Sequence, residues 1–362
     1  VSHNDVRYGI IGAGMMGTEH LWNLQAVPGA VVTAVADPVA AQREWIVAAA
    51  GDDGAAMATF ADHRDLLASG LVDVVVVASP NHTHHDVMMD VFDHPAMHVL
   101  VEKPLCTTMA DCHEVAARAR NHDGIVWVGL EYRYMPPVAR LAASVAAGDV
   151  GTVRMVAIRE HRFPFLEKVG DWNRFNANTG GTLVEKCCHF FDLMNLLTGD
   201  RPVAVTASGG QAVNHLDERY DGRAPDIDDH ALVIVEYAGG ARASLDLCMF
   251  AEGSENQEEI SVVGDAGKAE ALLPSSVFRM GSRRGGRAGV TSEVVHDDRV
   301  AYEGFHHGSS YLEHLDLLEA VRTAGRPEVS VDDGVLSVAM GVAAHRSIAE
   351  RRWVDIDEVL AT

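Results

Sequence analysis

The sequence predicts an α/β protein: an N-terminal doubly wound parallel sheet, then a C-terminal α+β domain built on a large, mostly antiparallel open sheet. Three observations carry this prediction. A glycine triplet, G-A-G-M-M-G at residues 12–17, sits between an apolar strand pattern and a helical one. Strand and helix patterns then alternate up to about residue 130, the signature of βαβ units. After residue 201 the pattern changes to short strand-like runs punctuated by glycine turns.

Residues 6–11 (VRYGII) read as a buried strand, and Gly12, Gly14 and Gly17 follow as G-x-G-x-x-G. Gly12 permits the tight turn, Gly14 lets the backbone approach a pyrophosphate, and Gly17 allows close helix–strand packing. Met15 and Met16 open the helix, whose N-terminal N–H groups and positive dipole end suit phosphates. A second strand, AVVTAVA, ends at Asp37, 20 residues beyond Gly17. An acid there accepts hydrogen bonds from a ribose diol and repels a 2′-phosphate, which favours NAD over NADP. Arg43, close to the same strand end, is the residue that would suit a 2′-phosphate instead.

DHRDLLASG reads as a helix, LVDVVVVAS as a fully buried strand, THHDVMMDVF as a helix, MHVLVEK as a strand, MADCHEVAARARN as a helix and GIVWVGL as a strand. Ligands of such sheets bind beyond the carboxyl ends of the strands, where SPNHTHH and EKPL fall. This gives a dinucleotide-binding Rossmann domain at 1–130 and a separate α+β domain at 131–362. In the latter, PPVARLAASVAAGDVG reads as a helix and TVRMVAIREHRF as a long strand. The runs RPVAVTASG, HALVIVEYA, ARASLDLCM, EEISVVG and KAEALL follow, with hairpin turns at Gly239-Gly240 and Asp265-Ala266-Gly267, and two helices close the chain.

The 362 residues carry a net charge of −23, which disfavours nucleic acid as a partner. No basic leader with an apolar core opens the chain and no run is long enough to span a bilayer, so the expectation is a cytoplasmic protein without a membrane partner. Cys106, Cys112, Cys187, Cys188 and Cys248 show no framework spacing and read as reduced thiols.

Residues 180–194, GGTLVEKCCHFFDLM, set polar groups in an apolar segment. On one helix Glu185, His189 and Asp192 fall at i, i+4 and i+7, a single polar stripe. Thr182 and Glu185 also have capping-box spacing, so Glu185 reads equally as a helix cap or a substrate contact. Cys187 and Cys188 project about 100° apart on a helix, which argues against a zinc site. No metal is expected. Lys186 reads either as approaching the substrate or as extending to solvent.

These motifs together resemble the glucose–fructose oxidoreductase / inositol dehydrogenase / rhizopine catabolism (Gfo/Idh/MocA) family. The resemblance rests on G-A-G-M-M-G, Ser79-Pro80-Asn81, Glu102-Lys103-Pro104, Gly129 with Arg133-Tyr134 and Pro136, and Gly180-Gly181 leading to His189 and Asp192. It implies that Lys103 and His189 flank the reacting carbon. It further implies that Asn81 and Glu102 line the nicotinamide ribose, with Ser79 and His84 near the cofactor. The family's usual aspartate four residues before the histidine is Glu185 here. Arg133, His161, Trp172, Asn173 and Lys186 fall in segments that line the family's substrate pocket, while His306-His307 read as loop residues. The implied activity is NAD-dependent oxidation of a secondary hydroxyl on a cyclitol or sugar by a homodimer or homotetramer. The alternatives are a redox-neutral NAD-dependent glycosidase and a non-catalytic NAD- or sugar-sensing protein. NADPH-dependent biliverdin- or dihydrodiol-type reduction is disfavoured by Asp37.

Overall fold

The computed structural model describes residues 5–362. Residues 1–4, the start of the stretch read above for a leader, lie outside the described residues. The chain divides into two compact units. The first comprises residues 1–131, 168–172 and 298–335; the second comprises 132–167, 173–297 and 336–362. The first unit is therefore not one stretch of chain, and a division at residue 130 does not separate out its later segments.

The first unit holds six parallel strands: β1 (Val6–Ile11), β2 (Ala30–Ala36), β3 (Ala58–Phe60), β4 (Val74–Val77), β5 (His98–Glu102) and β6 (Val126–Gly129). Their order is β3-β2-β1-β4-β5-β6, the doubly wound arrangement with a switch beside β1. The four valines of β4 are wholly buried, because helices cover both faces of a parallel sheet. Each contributes about 1.5–3 kcal/mol of hydrophobic stabilisation. The later segment adds the helix Ser309–Thr323, which packs along the helix Met15–Ala26.

The second unit holds β7 (Val153–His161), β8 (Pro202–Gly210), β9 (His230–Tyr237), β10 (Arg242–Cys248), β11 (Glu258–Gly264), β12 (Gly267–Leu273), β13 (Val277–Ser282), β14 (Thr291–Val294) and β15 (Val354–Asp355). They form one sheet in the order β14-β13-β12-β11-β7-β10-β9-β8-β15. All pairings are antiparallel except β7 with β10, which run parallel. Both predicted glycine turns join hairpins, β9 to β10 and β11 to β12. Alternate residues of the central strands are buried: Val156, Ile158 and Glu160 on β7, Ala243, Leu245 and Leu247 on β10, and Ile260 and Val262 on β11. The opposite face is open.

Residues 180–194 do not form one helix. A single turn, Thr182–Glu185, is followed by a break at Lys186-Cys187, and the helix Cys188–Thr198 begins beyond it. The capping box is absent as well. Gly181 at φ +89° stands at the N-cap, and the Thr182 hydroxyl donates to Asp228 O at 2.6 Å instead of capping the turn.

Candidate active site

The nucleotide end of the first unit is built from close backbone approach. A Cβ on Gly17 would lie 1.9 Å from Gly12 O, so only glycine lets helix and turn meet. Gly12 adopts φ +97°, the left-handed region that glycine tolerates. A Cβ on Gly14 would meet nothing within 4 Å, so the space above the N-terminus of the helix Met15–Ala26 is open. No side chain caps that helix, which leaves the first-turn N–H groups, those of Met15 and Met16 among them, facing the opening. The residues thus fit a dinucleotide pyrophosphate. Asp37 accepts hydrogen bonds from Ala13 N and Val39 N, both at 2.8 Å, which fixes its carboxylate at the end of β2. Arg43 is tied to the Asp37 carbonyl at 2.5 Å.

The loops after β4 and β5 carry the other cofactor candidates. The Ser79 hydroxyl accepts from Thr83 Oγ1 at 2.7 Å. Asn81 is buried, and its Nδ2 has no hydrogen-bond partner among the described residues, a donor available to a nicotinamide ribose or amide. His84 is wholly buried, with ring nitrogens 2.9 Å from Pro104 O and 3.0 Å from Ser79 O. The ring lies between the Ser79 loop and the Lys103-Pro104 loop, with burial lowering its pKa against the pull of the two carbonyls. That is a positioning role, one step removed from the cofactor contact the resemblance implied.

Glu102 precedes Lys103 at the end of β5. One oxygen lies 2.8 Å from His20 Nε2, and the other accepts from Lys103 N at 3.1 Å. His20 Nδ1 in turn lies 2.9 Å from His314 Nε2. Burial works to raise the Glu102 pKa, but the His20 hydrogen bond and the charges of His20, Lys103 and His306 outweigh it and hold the carboxyl near about 2. His314 is pushed well below the usual imidazole range by burial and by His20. This buried chain fixes the backbone on which Lys103 stands. Nothing in the local sequence marks His20 or His314, since their partners are 82 and 294 residues away.

In the second unit, Glu185, Lys186 and His189 are all buried, with exposures of 6%, 4% and 2%. The His189 ring stacks on Tyr132 with centroids 4.0 Å apart and planes 9° off parallel. Lys186 Nζ donates to Tyr132 Oη at 2.6 Å and lies 3.0 Å from Glu160 Oε1. Lys186 is therefore an interior residue, and the alternative of a solvent-directed side chain is excluded. Tyr132 and Glu160 were not singled out from the sequence. The signal for Glu160 was present, because it occupies an inward position in the alternation of β7.

Other predicted residues are engaged elsewhere. Asp192 grips Arg133 through two bonds, Nε to Oδ2 at 2.7 Å and Nη2 to Oδ1 at 2.5 Å, with both side chains buried. Arg133 is thus held by a carboxylate, and Asp192 is not an outward-facing member of a stripe. His161 lies on the open face of the second sheet, opposite to Glu160, with Nε2 3.1 Å from Asp246 Oδ1. It does not join the group around His189. The buried Asn173 donates to Leu166 O at 3.0 Å and accepts from Arg174, holding its own loop. Trp172, in the first unit, meets the His82 ring edge-on at 6.2 Å. His306 lies half-buried, 3.6 Å from Glu131. Cys187 and Cys188 are buried free thiols, and no group of three or more His, Cys, Asp or Glu side chains converges as metal ligands among the described residues.

A glycine cradle at a helix N-terminus, an acid at the end of β2 and a lysine and glutamate at the end of β5 define a dinucleotide-dependent oxidoreductase. Comparison with known proteins gives the family. Residues 6–130 match the NAD-binding Rossmann fold of an oxidoreductase family, and residues 142–356 match its C-terminal alpha/beta domain. The chain belongs to the Gfo/Idh/MocA oxidoreductase family. Among its relatives, myo-inositol 2-dehydrogenase of Thermotoga maritima is 27% identical over 98% of this chain and 100% of its own. Inositol 2-dehydrogenase of Rhizobium meliloti is 27% identical over 97% of this chain and 99% of its own. A levoglucosan dehydrogenase solved with NADH and levoglucosan shares the fold at TM-score 0.85 and 19% identity, covering 97% of this chain and 99% of that one. The protein is an NAD-binding oxidoreductase. No helix among the described residues is long and apolar enough to cross a membrane.

Proposed function

We propose that this protein is an NAD-dependent dehydrogenase that oxidises a secondary hydroxyl of a cyclitol or sugar. The observation that carries the reading is the buried His189, stacked on Tyr132 beside Lys186 and Glu185, in a chain whose other unit presents Lys103 at the end of an NAD-binding sheet. The names of the inositol dehydrogenase and levoglucosan dehydrogenase relatives support cyclitols and sugars as substrates. NAD, when bound, accepts the hydride from the carbinol carbon. The chain's own residues handle the proton. An imidazole nitrogen of His189 takes the hydroxyl proton, and Lys103 Nζ places positive charge where the oxyanion develops. Glu185 orients a neighbouring substrate hydroxyl. Gly12, Gly14 and Gly17 leave room for the pyrophosphate, Asp37 receives the adenosine ribose diol, and Asn81 faces the nicotinamide side.

The open face of the second unit's sheet supports self-association into a dimer or tetramer. Met155 on β7, Leu232 and Ile234 on β9 and Val294 on β14 are all exposed there. Apolar side chains exposed on an open sheet face are what supports that reading. The activity is tested by following absorbance of NADH while NAD is offered with inositols, hexoses, pentoses and glycosides. NADH growth with a polyol supports the reading. Glycoside cleavage without net NADH would point to a redox-neutral glycosidase, and silence on both counts to a binding protein.

A further inference from the structure

Two carboxyl groups face each other beneath the His189 helix. Glu160 on β7 pairs in register with Glu258 on the neighbouring antiparallel strand β11. Both lie on the covered side of the sheet, with exposures of 0% and 5%. Lys186 Nζ is 3.0 Å and Arg162 Nη1 3.5 Å from the same oxygen, Glu160 Oε1. Glu160 Oε2 is buried with no hydrogen-bond partner among the described residues, and the Glu258 carboxyl is its in-register neighbour on β11. Lys186 then continues to Tyr132 Oη at 2.6 Å, and the Tyr132 ring stacks on His189 at 4.0 Å.

We propose that Glu258 and Glu160 share one proton, and that this acid pair positions His189 by holding Lys186 against Tyr132. The proposal rests on the reading of His189 as the proton-handling group. Like charges this close and this buried do not both ionise readily. Burial first, then the Glu160 charge, pushes Glu258 up to about 8, against the pull of Lys186 and Arg162. The charged groups facing Glu258 are Glu160 and Arg162 from β7 and its end and Lys186 from the break before the His189 helix. With Glu258 protonated, Lys186 is divided between Glu160 and Tyr132. Ionisation of Glu258 adds a second charge, draws Lys186 toward the carboxyls and releases Tyr132 from the imidazole stack. Glu258 is thus a positioning residue, acting through Lys186 and Tyr132.

Two measurements test this without turnover, so their outcome is separate from that of the proposed activity. Infrared difference spectra of the wild-type protein should show a protonated carboxyl band at neutral pH that fades as pH rises through about 8 and is missing in Glu258→Gln. The His189 ring signal in NMR, assigned by its loss in His189→Gln, should show an inflection at that same pH which Glu258→Gln abolishes. In the active enzyme, the alkaline fall in kcat should move up by a pH unit or more in Glu258→Gln, with KM for the polyol little changed. A wild-type spectrum without the protonated carboxyl band overturns the proposal. So does a His189 inflection near pH 8 that survives the glutamine.

Discussion

Lys103 and Asp37 show how single residues divide between those legible in sequence and those that are not. Each stands at a strand end inside a short contiguous motif, so its position follows from local pattern alone. Tyr132 and His20 gain their importance from partners far along the chain, and no local pattern carries that. Asp37 provides a test at this scale. Its carboxylate receives two backbone N–H groups and still presents its charge at the end of β2. Replacing Asp37 with Ser should raise the NADP:NAD ratio of kcat/KM by about tenfold or more, equivalent to roughly 1.4 kcal/mol. An unchanged ratio in steady-state kinetics would remove Asp37 from the ribose site. The Glu102 carboxyl supplies a pH test. Its folded pKa, about 2, lies below the ordinary 4.5. The depressed value means that its contribution to stability is full above pH 4.5 and is lost as pH falls toward 2. Glu102→Gln should therefore show a shallower loss of melting temperature than wild type across that acid window.

At the scale of elements, β1, β2, β4 to β6 and β7 to β12 were legible because burial on two faces, or on alternate residues, leaves a period that survives without context, whereas β3, β13, β14 and β15 were not read from the sequence. The segment around His189 was not. Its spacing fits a continuous helix with a capping box, yet Gly181 takes the N-cap at φ +89° and the chain breaks at Lys186-Cys187. The tertiary reason is visible in the partners. Thr182 is drawn to Asp228 O, Leu183 N donates to His345 Nε2 at 3.1 Å, and Lys186 is drawn to Glu160 and Tyr132. Gly181 is the sensitive point, because an added Cβ would lie 2.3 Å from His345 Nε2 in a left-handed conformation. Gly181→Ala should cost about 1–3 kcal/mol, read as a lowered melting temperature in calorimetry. A variant as stable as wild type would show that this turn tolerates a side chain.

For the whole molecule, the order of architectures was legible, parallel first and mostly antiparallel second, since that order lies in the succession of periods along the chain. The return of residues 298–335 to the first unit was not. The helix Ser309–Thr323 has an ordinary helical pattern, and only packing decides which sheet it serves. The open sheet face leads to a test at this scale. Leu232 and Ile234, with exposures of 61% and 46%, stand on β9 of that face. The double substitution Leu232→Asp with Ile234→Lys should reduce the mass measured by light scattering to that of one chain, 38.9 kDa. A wild-type protein that already runs at that mass would refute self-association through this face.

The central claim is oxidation of a polyol hydroxyl with the proton handled by His189 and Lys103. Its most direct test is the rate of NADH formation for wild type, His189→Ala and Lys103→Ala with the polyol that gives the highest wild-type rate. The account predicts NADH formation by wild type and a fall in kcat of about 10²–10⁴ in each variant, with NAD binding retained in His189→Ala. NADH formation at the wild-type rate in either variant would contradict it.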